Sequence, residues 1–163
     1  MQERELQHLW LRGVEAVAAE IQFPAAEFSA SGNFMWVIAR LEDFQQCNGI
    51  DLKRGHLIHL EIVDSSGNAF RIEAISALHP AHPWWHWPYE WLWQNCRIFN
   101  ISFDLSGPVP TSLDDFKAKI MEYIDLQRGM WESGIGVPEI KAEVRAAKTH
   151  REAIEVIYGQ KID

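Results

Sequence analysis

Long apolar stretches are missing from this sequence. The longest run is Phe34-Met35-Trp36-Val37-Ile38-Ala39, six residues where a membrane-crossing helix needs about 20, so no membrane partner is expected. The opening Gln2-Glu3-Arg4-Glu5 lacks the basic-then-apolar character of an export signal, and a cytoplasmic location is expected. Cysteine is scarce: Cys47 and Cys96 stand far apart with no CxxC neighbour, which predicts two reduced, partly buried thiols. Bases are outnumbered, 15 against 23 acids, for a net charge of −8. The excess lies in the N-terminal half and is spread out. Such a field repels phosphate backbones, so no nucleic-acid partner is expected, and it speeds encounter with a basic protein.

Catalytic signatures are missing too. There is no G-x-S-x-G elbow, no phosphate loop and no G-x-G-x-x-G; Gly134-Ile135-Gly136 lacks the third glycine and the preceding strand. Carboxylate pairs such as Glu42-Asp43 and Asp114-Asp115 read as helix caps or solvated surface. No catalytic residue, cofactor or metal site is assigned. Repeats, low-complexity tracts and linkers are absent, and 47% hydrophobic with 23% charged residues is globular composition, so residues 1–163 are expected to form a single domain.

Periodicity supplies the elements. Leu6, Trp10, Val14, Val17 and Ile21 predict an amphipathic helix over 3–20, closed off by Pro24. A strand over about 34–41 is apolar on both faces and is expected to be central. Residues 42–55 read as a loop. His56, Ile58, Leu60 and Ile62 alternate with Leu57, His59, Glu61 and Val63; Asp64-Ser65-Ser66-Gly67-Asn68 is turn chemistry; Phe70, Ile72 and Ala74 alternate again. This predicts a β-hairpin with Ile58, Leu60, Ile62, Phe70 and Ile72 in the core and Glu61, Arg71 and Glu73 on the other face. A strand over 97–105 turns Phe99, Ile101, Phe103 and Leu105 inward and is ended by Gly107-Pro108 and Pro110. Ser112 to Asp115 and Thr149 to Glu152 match capping boxes, and helices are expected to about Gly129 and from Pro138 to Tyr158, stopped by Gly159. The fold class that follows is α+β: a mainly antiparallel sheet of about four strands, an N-terminal helix, and two to three C-terminal helices packed on one face.

The most unusual stretch is His79 to Trp93, with five of the eight tryptophans, three of the seven histidines and three of the seven prolines. Its prolines preclude a regular helix over 79–88, although 89–95 could form one. The stretch reads as a wedge pinned over the open sheet face or as a protein-binding surface, with a sugar-stacking platform as a further alternative. His79, His82 and His86 invite a zinc reading, but prolines follow two of them directly and no Asp or Glu lies between. His56 and His59 have opposite strand parity and cannot chelate jointly.

The acidic chain without catalytic residues, the hairpin with Glu61, Arg71 and Glu73 outward, and the aromatic segment 84–93 together resemble the small, acidic, cytosolic immunity proteins of bacterial contact-dependent and polymorphic toxin systems. The resemblance implies stoichiometric binding of a cognate toxin protein, expected to be basic, and blockage of its active site. On this reading Trp85, Trp87 and Trp91 are candidate anchors, and Glu90, Glu61 and Asp64 candidate steering charges. An enzyme or ligand-binding protein using the loop 79–93, and a subunit or adaptor of a larger assembly, remain as alternatives. Metal analysis separates the enzyme reading: the purified protein is expected to hold no stoichiometric zinc. One zinc per chain, lost when His79, His82 and His86 become alanine, would overturn this.

Overall fold

The computed structural model describes residues 20–30, 34–80, 98–132 and 136–159, with the side chains of 78–80 outside the description. The helix expected over 3–20 and the segment 81–97, with Trp85, Trp87, Glu90, Trp91, His82, His86 and Cys96, lie outside the described residues.

The architecture is α+β around an antiparallel sheet of six strands rather than about four, in the order β2-β1-β4-β5-β6-β3. The strands are β1 (Ala25–Phe28), β2 (Met35–Ile38), β3 (Gln46–Asn48), β4 (Glu61–Asp64), β5 (Asn68–Pro80) and β6 (Ile98–Pro110). Two short helices, α1 (Leu41–Phe44) and α2 (Gly49–Arg54), flank β3, so the region read as a loop holds three elements. Asn48 makes the second helix possible: its Oδ1 accepts from the backbone N–H of Ile50 and Asp51, and Gly55 ends the helix in the left-handed region at φ 66°.

The C-terminal helices are α3 (Leu113–Leu126), α4 (Arg128–Trp131), α5 (Val137–Ala146) and α6 (His150–Tyr158). Both capping signals operate. Ser112 Oγ accepts from Asp115 N–H and Thr149 Oγ1 from Glu152 N–H, each at 3.1 Å. Pro138 sits in the first turn of α5, and Gly159 closes α6 at φ 79°.

The C-terminal helices pack on one face of the sheet, as expected, and the central strands β1 and β4 are buried on both faces, whereas Arg71 and Glu73 of β5 and Asp104 of β6 are exposed. Ala26, Phe28, Met35 and Val63 pack against Phe116, Ile120, Ile124, Ile140, Val144 and Ile154 of the helices. On the other face Ala25, Ile38, Leu60, Ile62, Phe70, Ile72, Ile101 and Phe103 form a second core with Ile21, Phe44 and Cys47. Strand β2, expected in the centre, is an edge. Its apolar run reflects Met35 entering one core and Ile38 the other, while Trp36 between them is 68% exposed.

The hairpin is present but begins later than its alternation suggests. Residues 55–59 form turns, and His59 adopts φ 67°, which breaks an extended run; its N–H reaches Ile72 O at 2.7 Å. Ile58 is therefore a correction, 38% exposed, whereas Leu60, Ile62, Phe70 and Ile72 are core as expected. Val63 is buried as well, on the opposite face from Ile62. Three irregularities in the β5–β6 register offset the simple alternation along β5. Strand β6 is not stopped at Gly107-Pro108 but continues to Pro110, and Ser102, expected outward, is buried. Gly107, at φ 124°, lies so close to the Ala69 carbonyl that a Cβ would stand 2.7 Å from its oxygen.

These placements separate two neighbouring residues of similar hydrophobicity. Leu60→Ala is expected to cost about 2–5 kcal/mol in denaturant unfolding, and Ile58→Ala less than about 1 kcal/mol, because only the first leaves a cavity. Equal costs would show that the turn at 55–59 is wrongly assigned.

Candidate functional site

Three surfaces merit consideration. The largest is a cleft of about 580 Å³ on the helix face, lined by His59, Glu61, Arg71, Lys119, Glu122 and Tyr123 among others. Its charges are matched internally. Lys119 Nζ lies 2.6 Å from Glu61 Oε1 and 4.7 Å from the centre of the Phe28 ring, and Arg71 is the cross-strand partner of Glu61. Tyr123 donates its hydroxyl proton to the Ser29 carbonyl, and burial raises its pKa. The cleft therefore presents no field of one sign.

Asp64, the other steering candidate within the description, faces inward. It is fully buried and accepts from Gln22 N–H, Ser66 N–H, Ser66 Oγ and Asn68 N–H at 2.8–3.2 Å, tying the hairpin turn to the chain before β1. Glu61 and Asp64 have opposite parity in β4, and the structure does not bring them together.

A second, smaller cavity of about 180 Å³ opens on the opposite face. It is lined by Glu27, Trp36, Asp43, Phe44, Gln46 and Phe103, with Ile38, Leu57 and Ile72 completing the wall. Glu27 comes from β1 and is 8% exposed. Burial, reinforced by the nearby Asp51 carboxylate, pushes its pKa up to about 7. Asp51 is itself held by Asn48 Nδ2 and by His56 Nδ1 at 3.1 Å. Next to this group, Cys47 donates its thiol proton to Asn48 O at 3.0 Å, and burial with Asp51 pushes it up to about 11. Both effects favour the protonated thiol over the thiolate.

The third surface is an apolar groove of about 270 Å³ at the β2 edge, lined by Met35, Trp36, Val37, Met130, Trp131, Ile157 and Tyr158. Trp36, Met130 and Tyr158 are exposed, and the indole N–H of Trp131 is buried without an acceptor. Sequence reasoning missed both smaller sites. Glu27 sits in Ala-Ala-Glu-Phe, too short and small to mark a strand, and Trp36 was hidden within an apolar run. Met130 and Trp131 follow the point where periodicity ends the helix.

Among the described residues no group of three or more His, Cys, Asp or Glu could hold a metal ion, and no helix is long and apolar enough to cross a membrane. No protein-family model matches the chain, and neither a curated protein nor a solved structure does.

The Glu27 placement carries a pH signature. Its folded pKa lies above the unfolded value of 4.5, so the two states bind protons equally below pH 4.5. Between 4.5 and 7 the unfolded chain gives up a proton that the folded chain keeps, and stability falls; above 7 the loss is complete. Glu27→Gln is expected to remove this slope and to be more stable than the parent at pH 8, by on the order of 3 kcal/mol. Urea unfolding of both proteins from pH 4 to 8 measures the difference. A constant gap across that range would show that Glu27 titrates normally.

Proposed function

We propose that this protein is a non-catalytic protein-binding domain of the immunity type, which acts in the cytoplasm by occupying a basic toxin domain and blocking its active site. The observation that carries this reading is the exposure of Trp36 on an edge strand, between an apolar groove and an acidic cavity. Large aromatic side chains left in solvent beside apolar neighbours are typical binding anchors, since they bury much area for little lost rotamer freedom. Among the described residues no strand pairs with the outer side of β2, which leaves its backbone groups to a partner's strand, and the Trp131 indole N–H supplies a donor that an incoming carbonyl would satisfy. A net charge of −8 favours basic partners and speeds their approach. Trp85, Trp87, Trp91 and Glu90 belong to the same proposal as further anchors. Glu61 and Asp64 contribute to it only through the overall field, since one is paired with Lys119 and the other is bonded within the turn.

Co-expression with toxin domains encoded by flanking genes, read as growth and as copurification, tests the class. The wild-type chain should restore growth and copurify at one to one. Trp36→Ala and Met130→Ala should each weaken the complex by about 2–4 kcal/mol while leaving the melting temperature within a few degrees. Failure to rescue growth against every flanking product, or affinities unaffected by both changes, would overturn the proposal.

A further inference from the structure

The cavity on the sheet face opposite the helices combines features that no packing requirement explains. Glu27 rises into it from β1, 8% exposed, and its carboxylate has no hydrogen-bond or ion-pair partner among the described residues. Asp64, the other buried acid among the described residues, accepts four hydrogen bonds. The Glu27 oxygens open onto the cavity rather than being sealed in the core, yet burial still disfavours their charge, so a core that wanted only volume at position 27 would be better served by an apolar side chain.

The surroundings of this carboxylate select for a cation. Asp43 lines the same cavity, and Asp51 is close enough to act on Glu27. Among the described residues no basic side chain lines it: Arg40 pairs with Asp43 at 3.6 Å on the exposed side, and His56 is bonded to Asp51. The walls are aromatic. Phe44 and Phe103 stack with centroids 4.1 Å apart and planes 13° off parallel, and Trp36 closes the side toward the sheet edge. A volume of about 180 Å³ equals about six waters, enough for a planar head group and the end of its stem. The donor set does not suit a metal ion, because among the described residues no three His, Cys, Asp or Glu converge.

We propose that this cavity receives an arginine side chain of the protein partner, its guanidinium on the Glu27 carboxylate and its plane against the aromatic wall. A guanidinium is weakly hydrated, stacks on rings and offers two parallel N–H groups to one carboxylate, a combination that an ammonium lacks. The proposal rests on the reading of the protein as a binder of basic proteins and names the chemical contact at its centre. It also implies that occupancy is linked to protons. Glu27 binds the cation as a carboxylate, so binding draws its proton off near neutral pH. The other titratable groups facing it are Asp43 from α1, Asp51 from α2 and Cys47 from β3; the neighbouring strands contribute Trp36, Ile62, Ile72 and Phe103, none of which titrates.

The test uses the full chain and N-acetyl-L-arginine amide, with the lysine analogue and the neutral citrulline analogue as controls, followed by NMR at the Trp36 indole and the Glu27 carboxyl carbon. Saturable binding is expected, about tenfold or more tighter than for either control, and tighter at pH 8 than at pH 5.5 by a similar factor. Glu27→Gln should lose at least about tenfold while remaining folded. In the unmodified protein, the Glu27 titration should move to lower pH as arginine amide is added, which requires no variant. Equal binding of citrulline or lysine amide, indifference to Glu27→Gln, or a Glu27 titration that ignores the ligand would each overturn the proposal. Because the probe is a small molecule, its failure leaves the growth-rescue test unaffected; arginine binding without rescue would instead overturn the partner's class.

Discussion

Burial of the central strands β1 and β4 on both faces is the constraint on which the remaining structure depends. In β1 and β4 consecutive residues enter different cores: Ala25 and Ala26, Ile62 and Val63. A strand with no solvent face must satisfy every polar group from within or do without. The helices α3, α5 and α6 close one side, anchored by Tyr123 to the Ser29 carbonyl and by Lys141 to Asp125, whose carboxyl that contact holds below its usual range. The other side is closed by shorter pieces: Ile21 and Phe23 before β1, Phe44 of α1, Leu52 of α2 and Leu57 in the turn after it. That difference in covering explains why the small cavity with its carboxylate lies on the second side.

Local signals were legible in the sequence wherever they are self-contained. The Ser112 and Thr149 caps, the Gly159 stop and the turn at 64–68 each depend on a few adjacent residues, and each appears as read. What failed depends on distant partners. Ala25–Phe28 has no strand pattern of its own; it becomes one by pairing with β2 on one side and β4 on the other. The same tertiary context made an apolar run at 34–39 look central when it is an edge, since one residue of it enters each core. Alternation from 56 to 60 was undone by one left-handed residue, His59. Asp64 shows how a residue can be legible in one role and misleading in another: its place in Asp-Ser-Ser-Gly identifies a turn, and the hydrogen bonds that make the turn withdraw its charge from the surface.

The candidate binding features converge on Trp36. Its backbone forms the sheet margin and borders the apolar groove, while its side chain shares a strand face with Glu27, its cross-strand partner. An apolar groove and a cavity that holds a buried carboxylate therefore meet at one residue. On the proposed reading, a partner would meet here both a non-directional contribution, area removed from water, and a directional one, a carboxylate that accepts its cation. The compensated cleft around Glu61 and Lys119 offers neither, despite being the largest of the three.

Strand β6 has a further consequence. It runs for thirteen residues, yet among the described residues its outer side is paired only from Ile98 to Ile101, by β3 and the Gln45 carbonyl. Such a margin would ordinarily invite another molecule of the same chain to add its own strand. Pro108 and Pro110 have no N–H to donate, Asp104 places a charge on the same stretch, and the β5–β6 irregularities bend it. The residues that look like strand terminators in the sequence thus sit inside the strand, where they make the margin a poor template for another molecule's strand.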